Sequence, residues 1–193
     1  MSRCEIGSAW AGEHFCLNLE HWHRRIPATT APLLDDETVA ATVRNLRALE
    51  AAYGCRVAIE AGPRYYTWGE RWDDHGAMRE VAEETGCPII VDVSHHLCSM
   101  KNLGRDPRDG LTREVLERTI ELHLTGLGRH STPGYFYDSH ATPVPDEAWR
   151  LFTWVLERCT SLKAVTLEHS EAVPAEAYQA DVARVVGFRC GRE

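Results

Sequence analysis

Four runs of β-forming residues in this chain carry an ionisable residue at their ends. They are Val57-Ala58-Ile59-Glu60, Ile89-Ile90-Val91-Asp92, Ile120-Glu121-Leu122-His123 and Val165-Thr166-Leu167-Glu168. A buried strand has no structural use for such an end. Burying an unpaired carboxylate costs on the order of several kcal/mol, so the group is normally paired, hydrogen-bonded or bound to metal. Repetition at four strand ends points to one shared site. The fold must therefore gather strand ends in one place.

The segments between these runs read as helices. Val39, Val43, Leu46, Leu49 and Tyr53 recur at helical spacing, and Gly54 stops them. Asp35 or Asp36 is the expected cap of that helix. Further helices are expected from about Asp73 to Thr85, over His95 to Asn102, over Thr112 to Arg118, from a capping Asp146 through Cys159, and from Pro174 to Val186. Strands are expected over Arg56–Glu60, Pro88–Val93, Thr119–Leu124 and Ala164–Glu168, with one more around His14-Phe15-Cys16-Leu17. Gly126 to Pro145 reads as a long loop, and loops of that length are usually functional or disordered. Alternation of this kind predicts an α/β fold with a parallel sheet and right-handed crossovers. The expectation is an incomplete (β/α) TIM-barrel-like arrangement of about five or six βα units, forming a single partial barrel domain over residues 1–193. In such folds ligands collect at the carboxyl ends of the strands, where Glu60, Asp92, His123 and Glu168 fall.

Composition narrows the partners. The charge is 21 − 29 = −8 with no basic stripe, which disfavours nucleic acid and anionic membranes as partners. No apolar run approaches the ~18 residues that span a bilayer, and no basic-then-apolar signal opens the chain. The seven cysteines are odd in number, scattered and free of any CxxC pair. Free, mostly buried thiols and a cytoplasmic location are the expectation.

The residue types at the strand ends suit a cation. Mixed carboxylate and imidazole donors favour iron, manganese or zinc over magnesium or calcium. Asp138 and His140 share a face of an extended segment, Asp92 and His95 form a second pair, and His14 comes near the end of the first expected strand. This exceeds the needs of one ion, so two or three ions sharing carboxylates are expected. His21, His23, His75 and His130 read as ordinary surface or hydrogen-bonded histidines. His96 and His169 stand beside stronger candidates and remain open.

Taken in order, the segments resemble a known family. Ile59-Glu60-Ala61-Gly62, Val91-Asp92-Val93-Ser94-His95, Glu121-Leu122-His123-Leu124-Thr125-Gly126, Tyr137-Asp138-Ser139-His140 and Leu167-Glu168-His169 keep the order and rough spacing of its motifs. Glu13-His14-Phe15 and Trp149 fit as well. The chain is similar, from about Gly12 to Val186, to the methanobactin-biosynthesis MbnB-type family of multinuclear non-haem iron enzymes with an isomerase-like TIM barrel. The resemblance implies metal binding by Glu60, Asp92, His123, Asp138, His140 and Glu168, with His14 and His95 beside them. It implies two or three irons, with manganese or zinc as alternatives. It further implies oxidation by dioxygen of a cysteine in a peptide substrate, and a small partner protein that presents the peptide. Two departures stand out. Ser94-His95 replaces the family's Asn-Asn pair, and only about five βα units can be placed where a TIM barrel has eight. A truncated start, a covering partner chain or a shortened barrel would each account for the second.

Competing readings remain at this stage. One is a divalent-metal sugar isomerase or epimerase, since such barrels also use Glu, Asp and His around a cation. Another is a truncated, non-catalytic barrel fragment. A phosphoester-cleaving relative with three zincs fits the charge of −8 poorly if its substrate is DNA. Arg64, Tyr65 and Tyr66 follow Glu60 closely and are expected to line the cleft, with Arg64 and Tyr66 as candidate substrate-binding residues, whereas Phe136 is expected to pack.

Overall fold

The computed structural model describes residues 7–17, 20–21, 24–25, 30–68 and 73–190. In chain order, β1 (Trp10–Phe15) is followed by two short strands, β2 (Glu20–His21) and β3 (Arg24–Arg25), that pair antiparallel. Then come α1 (Asp36–Tyr53), β4 (Arg56–Ala61), α2 (Asp74–Thr85) and β5 (Ile89–Asp92). The chain continues through α3 (Val93–Leu103), α4 (Arg113–Arg118) and β6 (Thr119–Leu124). It ends with β7 (Leu127–Arg129), β8 (Phe136–Asp138), α5 (Asp146–Leu156), β9 (Ala164–Leu167) and α6 (Ala175–Cys190).

Local chemistry sets most of these boundaries. The Asp35 carboxylate accepts from the Thr38 N–H at 2.8 Å and opens α1. Asp73 does the same for α2 through Gly76 N–H at 2.7 Å. Both helices stop at a glycine in the left-handed region, Gly54 with φ 70° and Gly86 with φ 72°. Asp146 behaves differently from expectation. It lies inside the first turn of α5, where its charge favours the helix dipole, and Pro145 holds the cap position without a side-chain bond. Gly126–Pro145 is also not an unstructured loop. It folds back as the antiparallel hairpin β7–β8. Runs of three residues are too short for a strand periodicity to show.

The sheet runs β1-β4-β5-β6-β9, every neighbouring pair parallel. Strands adjacent in space follow chain order, which is the winding of a (β/α) barrel and not of a doubly wound sheet. The α/β, TIM-barrel-like expectation therefore holds. Among the described residues β1 and β9 do not pair with each other, so the sheet is an arc.

Strand alternation divides the apolar residues between the two faces. Val57, Ile59, Ile89, Val91, Leu122 and Leu124 join Met78, Val81, Leu116, Trp149, Phe152 and Val155 from the helices in the main core. Ala58, Ile90 and Ile120 form a separate small cluster with Trp10 on the opposite face. A register shift between Ile89 and Ile90 leaves Ile120 unpaired on β6 and brings Asp92 level with His123. The face away from the main core is thus apolar at its base and ionisable at its carboxyl end. Of the described cysteines, Cys87, Cys98 and Cys159 are buried.

Candidate metal centre

Five strand ends and one hairpin converge. His14 and Glu60 are register partners on β1 and β4, Asp92 and His123 on β5 and β6, and Glu168 directly follows β9. Asp138 ends β8, His140 lies two residues beyond it, and His95 sits in the first turn of α3. The donor atoms fall into four overlapping groups: His14, Glu60 and His95; His95, Asp138 and His140; Glu60, Asp92 and His123; Asp92, His95 and Glu168. Within each group they lie within 4.8 Å of one another. All eight residues singled out in the sequence are in this set.

Each donor is aimed by its local structure. Asp92 is both the last residue of β5 and the cap of α3. Its Oδ1 accepts from the N–H groups of Ser94 at 2.6 Å and His95 at 2.7 Å, which turns Oδ2 toward the cluster. Ser99 on α3 donates to the His95 carbonyl at 2.8 Å and accepts from the Arg64 N–H at 2.8 Å. His140 Nδ1 lies 2.7 Å from the Glu168 carbonyl, so with Nδ1 as donor its Nε2 faces Asp138 Oδ2, also at 2.7 Å. The Thr125 hydroxyl donates to the same Glu168 carbonyl at 2.8 Å. Gly126 is required beside it, because a Cβ there would collide with the Thr142 carbonyl oxygen.

At the middle of the cluster, His95 Nε2 stands 3.2 Å from Asp138 Oδ2 and 3.6 Å from Asp92 Oδ2, with Nδ1 3.5 Å from Glu60 Oε1. His123 Nδ1 stands 3.1 Å from Glu168 Oε1 and 3.4 Å from Glu60 Oε1. His14 is at the rim, 40% exposed, with Nε2 3.9 Å from Glu60 Oε2. Glu60 Oε1, Asp92 Oδ2, His95 Nε2, His123 Nδ1 and Asp138 Oδ1 are buried without a hydrogen-bond partner. Buried polar atoms are normally satisfied. So many unsatisfied carboxylate and imidazole atoms converging at one point fit cations, and the donor chemistry fits iron, manganese or zinc.

The charges follow from the crowding. Burial opposes charge on Glu60, but contacts with His123 and His95 prevail and hold its pKa down at about 2. Burial likewise opposes charge on His123, and Glu121, Glu168 and Glu60 outweigh it, pushing its pKa up to about 12. His95 is raised well above the usual imidazole value, against burial, chiefly by Asp92. Glu168 is lowered by His123. Asp138 is lowered despite burial by His95 and His140, whereas burial raises Asp92. The carboxylates thus favour protonated imidazoles and the imidazoles favour ionised carboxylates. Cations would likewise favour ionised carboxylates and would release the imidazole protons.

The substrate-binding candidates divide. Tyr66 is 45% exposed and meets the Trp68 ring edge-on. Arg64 is buried, and its guanidinium donates to both Asp74 oxygens at 2.8 Å and to the Pro32 carbonyl at 3.0 Å. It braces the segment after β4. Phe136 is half-buried, with Lys101 Nζ 4.8 Å from its ring centre, and Lys101 also pairs with Glu147 on α5. Of the remaining histidines, His130 is exposed and accepts from the Thr132 N–H. His75 and His96 are buried and stacked edge-on at 4.8 Å, outside the four groups. His169 pairs with Asp181 at 2.9 Å. His21 belongs to β2, and His23 lies outside the described residues.

Two residues near the centre, Asn102 and Glu121, were not singled out from sequence, whereas Tyr65 was expected to line the cleft. The Asn102 side chain accepts from the Phe136 N–H at 2.9 Å and donates to the Phe136 carbonyl at 3.0 Å, clamping β8 to α3. The Tyr65 hydroxyl accepts from the Asp138 N–H at 3.4 Å. Glu121 touches His123, with Oε1 3.2 Å from Nε2. The two-residue spacing on β6 was the available signal for Glu121. Asn102 acts across a chain separation of 34 residues that no local pattern reveals.

Comparison with known proteins agrees with this geometry. Residues 3–187 match the family model described as RiPP precursor modification enzyme MbnB/TglH/ChrH. A UPF0276 protein of Caulobacter vibrioides (strain NA1000 / CB15N) is 24% identical over 170 residues, which cover 88% of this chain and 59% of the relative. One from Anaeromyxobacter sp. (strain Fw109-5) is 26% identical over 171 residues, covering 88% and 59%. One from Chromobacterium violaceum is 27% identical over 169 residues, covering 87% and 58%. The chain thus spans less than two thirds of the length of these relatives. No described helix is long and apolar enough to cross a membrane. With strand-end acids, imidazoles and hairpin all in the matched region, the chain belongs to the MbnB/TglH/ChrH family.

Proposed function

We propose that this chain holds a multinuclear non-haem iron centre and uses it to oxidise a cysteine in a ribosomal precursor peptide. The observation that carries the reading is the convergence of buried, unpartnered donor atoms from Glu60, Asp92, His95, His123 and Asp138. Family membership adds the substrate class, a precursor peptide. Glu60, Asp92, His123 and Glu168 would hold cations at the strand ends, with His95, Asp138 and His140 on the α3 and hairpin side and His14 at the rim. Iron, when bound, supplies one-electron redox chemistry with dioxygen as oxidant and a Lewis-acidic site for the thiolate. The protein's own part is to fix these donors, to keep bulk water from the buried ones, and to seat the peptide. Tyr66 stands exposed after β4 and serves as a peptide contact, while Arg64 supports that contact by bracing the same segment. A small partner protein presents the peptide.

The test is direct. After anaerobic loading with ferrous iron, elemental analysis should find more than one iron per chain. Glu60→Gln and Asp92→Asn should each lose most of it. Exposure to dioxygen with a cysteine-containing precursor peptide and its partner should change the mass of the peptide at the cysteine. A chain that stays metal-free after loading sinks the proposal. Manganese- or zinc-selective uptake would replace iron in it.

A further inference from the structure

We propose that Glu121 is a positioning residue that fixes the tautomer of His123, so that this histidine meets its cation through Nδ1. The inference rests on the metal-centre reading above. Glu121 and His123 lie two residues apart on β6, on one face of the sheet. The Glu121 carboxylate is held from both margins of the arc. Its Oε2 accepts from the Trp10 indole N–H of β1 at 2.7 Å, and its Oε1 from the Thr166 hydroxyl of β9 at 2.6 Å. Thus anchored, Oε1 stands 3.2 Å from His123 Nε2.

The other side of the same ring is different. His123 Nδ1 is buried, has no hydrogen-bond partner, and faces Glu168 and Glu60. A neutral imidazole carries one N–H and one lone pair. With the N–H donated from Nε2 to Glu121, the lone pair is on Nδ1, among the carboxylates of the cluster. A carboxylate behind a metal-bound histidine commonly sets its tautomer and ring orientation. Glu121 is not itself a ligand. Both its oxygens are already engaged by Trp10 and Thr166, and it stands outside the four donor groups.

Zinc serves as a diamagnetic probe. In the full chain, nitrogen-15 labelled and zinc-loaded, long-range proton–nitrogen correlation spectra should show His123 protonated at Nε2 and metal-shifted at Nδ1. Coordination through Nε2, or an unbound His123, overturns the inference. Glu121→Gln keeps an acceptor oxygen and should keep the tautomer. Glu121→Leu should lose the tautomer preference and weaken zinc binding about 10–100-fold. Unchanged tautomer and affinity in Glu121→Leu also overturn the inference. If that variant does not fold, the wild-type spectrum decides. Failure of the wild-type protein to take up zinc overturns the metal centre together with this inference, whereas uptake through Nε2 overturns this inference alone.

Discussion

His140 has a φ of 49°, the one non-glycine residue in the left-handed region among those described. That conformation costs roughly 1–2 kcal/mol for a residue with a Cβ. It persists because the Ser170 N–H donates to the His140 carbonyl at 2.7 Å and the ring meets the Glu168 carbonyl. Strain held in place at a position proposed to ligate metal points to function. His140→Asn should leave the melting temperature nearly unchanged, since asparagine tolerates this backbone, while metal affinity falls at least about tenfold. Calorimetric melting and metal titration separate the two effects. His75 gives a pH prediction. Burial lowers its pKa below the ordinary 6.5, with Asp73 and Asp74 partly opposing. The folded state therefore keeps it neutral where the unfolded chain binds a proton. Its contribution to stability is complete above about pH 6.5 and is lost as pH falls from there toward the lowered folded value. Urea unfolding at pH 7.5 and 5.5 should show a smaller acid loss in His75→Phe than in the native chain.

At the scale of elements, the hairpin β7–β8 carries Asp138 and His140 to a site otherwise built by the sheet and α3. The Tyr65 hydroxyl meets the Asp138 N–H there. Asn102 brackets Phe136 from α3, and Gly126 lets the strand pass Thr142. Asn102→Ala removes both bonds and should destabilise the hairpin by about 1–3 kcal/mol. Amide exchange at Phe136 should accelerate while exchange in β4 to β6 stays slow. Gly126→Ala forces a backbone shift, and metal affinity should fall with little change in the far helices. Either variant binding metal as tightly as the native chain would show that the hairpin ligands are dispensable.

Across the whole molecule, the site depends on segments far apart in sequence being held in one frame. The buried Arg64–Asp74 pair ties the segment after β4 to α2, and Ser99 ties it to α3 beside His95. Asp74→Ala removes the carboxylate from a buried guanidinium, a change that costs roughly 3–5 kcal/mol. Chemical denaturation measures that loss. A change below about 1 kcal/mol would mean that the pair does not brace the fold.

The sequence alone carried the βα alternation, the parallel sheet, most helix ends and the eight acids and histidines that the fold brings together, because each is written in local chemistry. Strand periods, aspartate caps, glycine stops and an acid after an apolar run need only a few neighbouring residues. The tertiary structure decided what depends on distant pairs. It paired β7 with β8 and docked that hairpin on α3 through Asn102, made Arg64 a brace through Asp74, and placed Glu121 behind His123 by joining Trp10 and Thr166 across the arc. Trp10 and Glu121 are 111 residues apart, and only the folding of the sheet brings them to hydrogen-bond distance.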